Sequence, residues 1–169
     1  MPARTPTPAP TDFGQTVRVG VIADTHGQLR PEAVAALRDC ALILHAGDIG
    51  RVQVLEQLRE VAPRVVAVRG NVDSGAWSAG IPDRAEVEVA GRRVLLLHDL
   101  KQLPADCHAE AYDAVVSGHS HRPCIDRRNG VLYLNPGSAG PRRFKLPVTV
   151  ARLEVSAIRL DAEIVPLPV

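Results

Sequence analysis

Seven residues with metal-ligating side chains stand directly behind short apolar runs: Asp24 and His26 in D-T-H, Asp48 in G-D, Asn71 in G-N, His98 after VLLL, and His119 and His121 in G-H-S-H. Imidazole, carboxylate and amide oxygen together suit borderline divalent cations such as manganese, iron, nickel or zinc, and there is no thiolate in the set to select zinc alone. A single Asp or His behind a strand is more often a cap or a loop hydrogen-bonding group. Seven in series turn that balance toward metal-assisted chemistry. In D-x-H and H-x-H, the pleat of an extended chain points side chains two apart to one face. Gly47, Gly70 and Gly118 each precede a ligand-type residue and permit the sharp bend that would aim it.

The elements that must position these residues follow from periodicity. VRVGVIAD, from Val17, is a buried strand delivering an acidic residue to a loop. A helix begins near Pro31 and carries EAVAALRDC, with apolar residues three and four apart. ALILHAGD is a second buried strand, VQVLEQLREV a second amphipathic helix, and RVVAVRGN a third strand ending in Asn71. This β-α-β-α-β order predicts a parallel sheet whose carboxyl edge gathers the loops into one crevice. After DSGAWSAGIPD the grammar changes. RAEVEVAGRRVLLLHD reads as a hairpin around Gly91, AVVSG as a short buried strand, and CIDRRNGVLYLN as a hairpin turning on Asn129 and Gly130. PVTVARLEV and IRLDAEIVPL read as closing antiparallel strands, and Asp106 to Tyr112 as one further helix.

Composition narrows the class. The 169 residues, 46% of them hydrophobic and 23% charged, suit a folded domain rather than disorder or a fibre. A formal net charge of +1 provides no global field toward nucleic acid or anionic membrane, and one Trp, two Tyr and two Phe supply no aromatic-interleaved basic stripe. Nucleic acid and membrane are therefore not the expected partners. Cys40, Cys107 and Cys124 are odd in number and widely spaced, arguing against a disulfide framework or thiolate zinc site and for a reducing compartment, the cytoplasm. Residues 1–16, rich in Pro and Thr, read as a disordered tail, leaving 17–169 as one domain.

The motif series DTH, GD, GNVD, LLLHD and GHSH, followed by NPGS at Asn135 to Ser138, resembles the calcineurin-like metallophosphoesterase superfamily over nearly all of the chain from Val17. Its short length and its GN-x-D and NPGS variants are most similar to the small bacterial and archaeal phosphodiesterase branch. The resemblance implies an α/β fold of two mixed β-sheets packed as a sandwich with helices on the outside. It also implies hydrolysis of small phosphate esters, phosphodiesters first among them, by two divalent metal ions, with manganese the leading candidate and iron, nickel, zinc or magnesium as others. By position it assigns Asp24, His26 and His121 to one cation and Asn71, His98 and His119 to the other, with Asp48 shared between them. A shared carboxylate offsets the repulsion of cations about 3.5–4 Å apart, and a hydroxide held between them is the implied nucleophile. Asp48, Asn71 and His98 are thus the expected catalytic residues.

Around this set, Arg51, Arg69, Arg142 and Arg143 are candidates to hold substrate phosphate. Asp73 is a candidate to orient a ligand, and NPGS to support the loops. His45, in mid-strand, reads as a packed and hydrogen-bonded residue, and His108 as a solvated one. Two departures from the family pattern stand out. Val72 occupies the place where many members carry a histidine that assists the leaving group, and Asp99 follows His98 where the family usually has glycine. Asp99 could act behind the metal ligands or disturb the loop. The rival reading is a non-catalytic scaffold of the same fold, as in the retromer complex; a homo-oligomer is compatible with either.

Overall fold

The computed structural model describes residues 15–169, so the tail expected over residues 1–16 lies, except for its last two positions, outside the described residues. In chain order the elements are β1 (Val17–Ile22), α1 (Pro31–Leu37), β2 (Leu42–His45), α2 (Val52–Val61), β3 (Arg64–Ala67), β4 (Arg84–Val89), β5 (Arg92–Leu97), β6 (Ala114–Val116), β7 (Cys124–Arg128), β8 (Val131–Asn135), β9 (Thr149–Val155) and β10 (Leu160–Pro166). They form two five-stranded sheets, ordered β10-β9-β1-β2-β3 and β4-β5-β6-β8-β7. In the first, β1, β2 and β3 are parallel and β9 and β10 antiparallel. In the second, β5, β6 and β8 are parallel and β4 and β7 flank them antiparallel. Both sheets are therefore mixed.

The packing follows from which faces are apolar. Val19 and Val21 of β1, Leu42 and Leu44 of β2, and Leu153 and Val155 of β9 meet Val94 and Leu96 of β5, Val116 of β6 and Leu132 and Leu134 of β8 in one buried layer between the sheets. The alternate residues Ile22 and Ile43 turn outward and are covered by Ala33 and Leu37 of α1 and by Val54, Leu55 and Leu58 of α2. Removing a methyl-rich side chain from the central layer, as in Leu96→Ala, would cost about 2–5 kcal/mol because both sheets close on it. Pro31 opens α1 at its first turn, as the sequence predicts. The two predicted hairpins turn on Ala90 and Gly91 (φ 48° and 80°) and on Asn129 and Gly130 (φ 51° and 78°), the left-handed pair that matches strand twist.

One expectation needs correction. Asp106 to Tyr112 is not a helix; only Ala109–Ala111 make a single 3-10 turn. The Cys107 amide is held by the Pro104 carbonyl and the Asp113 amide by Arg93 of β5. Too little chain lies between those anchors to pay nucleation costs for an α-helix. Leu103, Cys107 and Tyr112 still cover Leu95, Leu97 and Val115 on the outer face of the second sheet. No helix among the described residues is long and apolar enough to cross a membrane.

Candidate metal centre

The ligand-type residues lie at the carboxyl ends of five strands, three in one sheet and two in the other. Asp24 and His26 follow β1, Asp48 follows β2 and Asn71 follows β3, while His98 follows β5 and His119 and His121 follow β6. The single parallel-sheet crevice expected from the first half of the sequence is thus a junction between two sheets at one end of the sandwich. Backbone hydrogen bonds fasten the junction: Asp24 N–H to the Gly47 carbonyl (3.0 Å), His26 N–H to Asp48 (2.9 Å) and Gly118 N–H to His98 (2.9 Å).

The backbone there is not extended. Asp24, His26, Asp48, His119 and His121 have φ of 54°, 47°, 54°, 71° and 61°. These five make up most of the non-glycine residues with left-handed backbone among those described, and such conformations cost on the order of 1–2 kcal/mol each unless the surroundings impose them. Hence the pleat of a strand is not what brings side chains two apart together; paired left-handed residues turn both inward. Gly70 shows how tightly the loops pass, since a β-carbon on it would lie 2.2 Å from both the amide nitrogen and Oδ1 of Asp48.

The side chains converge. Nε2 of His26 is 3.5 Å from Nε2 of His121, which is 3.6 Å from Oδ1 of Asp24. Oδ2 of Asp48 lies 3.7 Å from Nε2 of His26 and 3.4 Å from Nε2 of His98. Nδ1 of His119 is 3.3 Å from Nε2 of His98. Ligand atoms of Asp24, His26 and His121 fall within 4.8 Å of one another, as do those of Asp24, Asp48 and His98. Asn71 is exposed beside an open cleft of about 460 Å³, lined also by Arg69, Gly70, Asp83 and Gln102.

Electrostatics show that this set fits a cation. Burial pushes the Asp24 carboxyl up to about 7 despite the nearby His98 charge. Its Oδ1 is buried without a hydrogen-bond partner among the described residues. Burial, then the Arg143 charge, holds His121 down to about 4. A carboxylate made costly to ionise, with an orphaned oxygen facing imidazoles held neutral, is a donor set that a divalent cation would satisfy. Asp48 differs. Burial opposes its ionisation, but the His98 hydrogen bond, the Val72 amide and the adjacent imidazoles outweigh burial and bring it to about 2.

Surrounding groups hold these side chains. His98 donates from Nδ1 to the Ala46 carbonyl (2.7 Å), which aims Nε2 at Asp48; burial opposes its protonation, but the hydrogen bonds to Asp48 and Ala46 raise the imidazole above its ordinary value. Asp73 is buried and accepts from the amides of Ile49 (3.0 Å), Gly50 (2.9 Å) and Gly70 (2.8 Å), tying the loop after β2 to the loop after β3. Asp99 accepts the Lys101 amide (3.0 Å) and puts its other oxygen 3.7 Å from Nε2 of His119, so it stabilises its loop and faces a ligand-type residue. Asn135 donates to the Gly118 carbonyl (2.9 Å) and to Ser120 Oγ (3.1 Å), and Ser138 Oγ donates to the Asp24 carbonyl (3.1 Å). The NPGS loop therefore braces two of the ligand loops at once.

His45 stays outside the centre. Its Nδ1 accepts the Gly47 amide (3.1 Å), which places its proton on Nε2 for Thr25 Oγ1 (3.0 Å), and burial lowers it to about 3. His108 is exposed. Among the arginines, Arg51 lies over Gly27, where an added β-carbon would be 2.8 Å from its Nε. Arg69 is paired with Asp83 at 2.9 Å. Arg142 donates to the Val169 carbonyl (3.0 Å), whereas the charge of Arg143 acts on Asp24, His26 and His121. Sequence reading named Ser138 only as part of the supporting NPGS motif and missed the Val72 amide, which donates to Oδ1 of Asp48 (3.1 Å). No sequence signal marks a backbone donor.

Comparison with known proteins identifies the family and the fold. The chain is 37% identical over 159 residues to a probable metallophosphoesterase of Methanothermobacter thermautotrophicus, covering 87% of this chain and 91% of that one. It is 32% identical over 116 residues to the phosphodiesterase YfcE of Escherichia coli K12, covering 65% of this chain and 63% of that one. Among solved structures, Vacuolar Protein Sorting 29 from Cryptosporidium parvum superposes with a TM-score of 0.72 at 18% identity, over 90% of this chain and 98% of the other, a likeness of fold alone. The profile of the calcineurin-like phosphoesterase superfamily domain matches residues 17–157, and the chain belongs to that superfamily.

Proposed function

We propose that the protein is a metal-dependent phosphodiesterase acting on small phosphate esters. The observation that carries this reading is Asp48: one of its oxygens faces His26 of one proposed ligand set and His98 of the other. Asp24, His26 and His121 would hold one divalent cation, Asn71, His98 and His119 a second, and Asp48 both. When bound, such cations would supply Lewis acidity, making water a competent nucleophile near neutral pH and offsetting charge on the phosphate oxygens. The chain's own residues do the rest. The Ala46 carbonyl keeps the His98 proton on Nδ1, Asp73 holds the loops after β2 and β3 in register, and Arg51 and Arg143 flank the His26 side with cations for the phosphate. Val72 is half exposed and has no proton to give a leaving group, so esters that expel a stable anion should be preferred. The name of the Methanothermobacter relative supports phosphoester hydrolysis, and that of the Escherichia coli relative supports phosphodiester hydrolysis.

Manganese is the first ion to test. Chelation should abolish hydrolysis of bis(p-nitrophenyl) phosphate and Mn²⁺ should restore it; full turnover in rigorously metal-free protein would refute the reading. The likeness to Vacuolar Protein Sorting 29 supports a second reading, a non-catalytic scaffold of the same fold. That reading requires the manganese-loaded protein to hydrolyse no ester.

A further inference from the structure

The loop after the NPGS motif rises beside the proposed metal centre and carries features that folding does not use. At its base, Ala139 N–H bonds to the Ala23 carbonyl (3.1 Å), and Arg30 holds the Gly140 carbonyl at 3.2 Å. Gly140 lies so close to the β1 exit that a β-carbon on it would sit 2.5 Å from the carbonyl oxygens of both Asp24 and Thr25. The loop closes where Thr149 N–H returns to the Ser138 carbonyl (3.0 Å). Arg143 is three residues from Gly140, at most about 11 Å along even an extended chain. Pro141 and Pro147 stiffen the ends. At the tip stand Arg142, Arg143, Phe144 and Lys145.

Two observations distinguish this tip. Phe144 is 95% exposed, more than any other large apolar residue described. It also adopts a left-handed backbone, φ 54°, which is strained for a bulky side chain. Folding would be served at least as well by a polar residue or glycine there. Beside it, Arg143 stands within about 11 Å of Gly140, which abuts the Asp24 and Thr25 carbonyls, so a phosphate over the centre lies within reach of its long side chain. A guanidinium for phosphate next to an uncovered ring is a pairing that grips an ester through its charge and one flat face.

We propose that Arg143 and Phe144 form a substrate subsite, in which Arg143 holds the phosphate and Phe144 stacks on a planar aromatic ring in the ester substituent that remains on phosphorus. The subsite makes aromatic-bearing phosphodiesters, with an aryl or a nucleobase ring, the preferred substrate class; it rests on the phosphodiesterase reading above. The test uses three diesters sharing a p-nitrophenolate leaving group and differing in the retained substituent: methyl, phenyl or thymidine. With manganese, kcat/KM for the ring-bearing esters should exceed that of the methyl ester by roughly 5- to 150-fold, the range that base stacking gives. Phe144→Ala should bring this ratio close to one, Phe144→Trp should keep it, and Arg143→Gln should raise KM for all three. Preference for thymidine alone would identify a nucleobase, and preference for both rings an aryl face. A binding measurement separates the subsite from the chemistry: the added fluorescence of Phe144→Trp over the parent, in chelator-treated protein, should be quenched by thymidine 5′-phosphate and not by methyl phosphate. A ratio near one in the parent, or one that Phe144→Ala leaves intact, overturns the subsite. Hydrolysis of none of the esters overturns the phosphodiesterase reading instead, and the quenching then decides the subsite alone.

Discussion

Asp48 and Asn135 show how residues of similar polarity at one end of a fold carry different burdens. Oδ2 of Asp48 faces imidazoles of both proposed ligand sets, and its other oxygen is held by the Val72 amide. Asp48→Asn removes the charge while keeping the shape. Because that charge would serve two cations, each worth several kcal/mol of transition-state stabilisation, activity should fall on the order of a hundredfold or more, and metal content with it. Asn135→Ala removes bonds to Gly118 and Ser120 that brace the loop from behind, with a stability cost of about 1–3 kcal/mol and a smaller rate effect. Metal analysis and kinetics on the two variants in parallel check this; parent-level metal and rate in Asp48→Asn would remove it from the shared position.

Between elements, the centre depends on how closely loops pass, and Gly70 is the tightest crossing on the β3 side. A methyl group there would collide with the backbone and the carboxylate of Asp48, neither of which can yield without moving the loop after β2. Asp73, bonded to Ile49, Gly50 and Gly70, opposes that movement. Gly70→Ala should therefore destabilise the fold by roughly 1–3 kcal/mol and lower metal occupancy. Thermal melting with metal titration reads both effects. Retention of the parent's metal affinity would show that the two loops are not rigidly coupled.

Across the whole molecule, the proposed ligands join the two sheets, with Asp24, His26, Asp48 and Asn71 on one and His98, His119 and His121 on the other. Binding of cations to the folded state alone should act as a clasp between the sheets. At a hundredfold excess over Kd such binding adds about 2.7 kcal/mol, which for a chain of this size raises Tm by roughly 5–10 °C. Calorimetry of chelated and Mn²⁺-loaded protein measures the difference. Equal melting temperatures at saturating metal would mean that the sheets are not joined through the ion.

Strand and helix periods, the turn at Asn129 and Gly130, and the order of the motifs were legible in the sequence because each is a local matter: apolar spacing, a first-turn proline, residues tolerant of positive φ. The series DTH, GD, GN, HD and GHSH likewise pointed to metal chemistry and to the family before any coordinates. What local pattern could not carry was the partition of the motifs between two sheets, since strand pairing between distant segments is decided by which apolar faces bury together. The same limit hid the left-handed turns at Asp24, His26, Asp48, His119 and His121; sequence reading assumed the period of a strand, and tertiary hydrogen bonds hold another conformation. It also separated Arg142, drawn to the Val169 carbonyl, from Arg143, whose charge reaches the centre. Adjacent residues of one type have no local feature to distinguish them, so only the path of the folded loop assigns their roles.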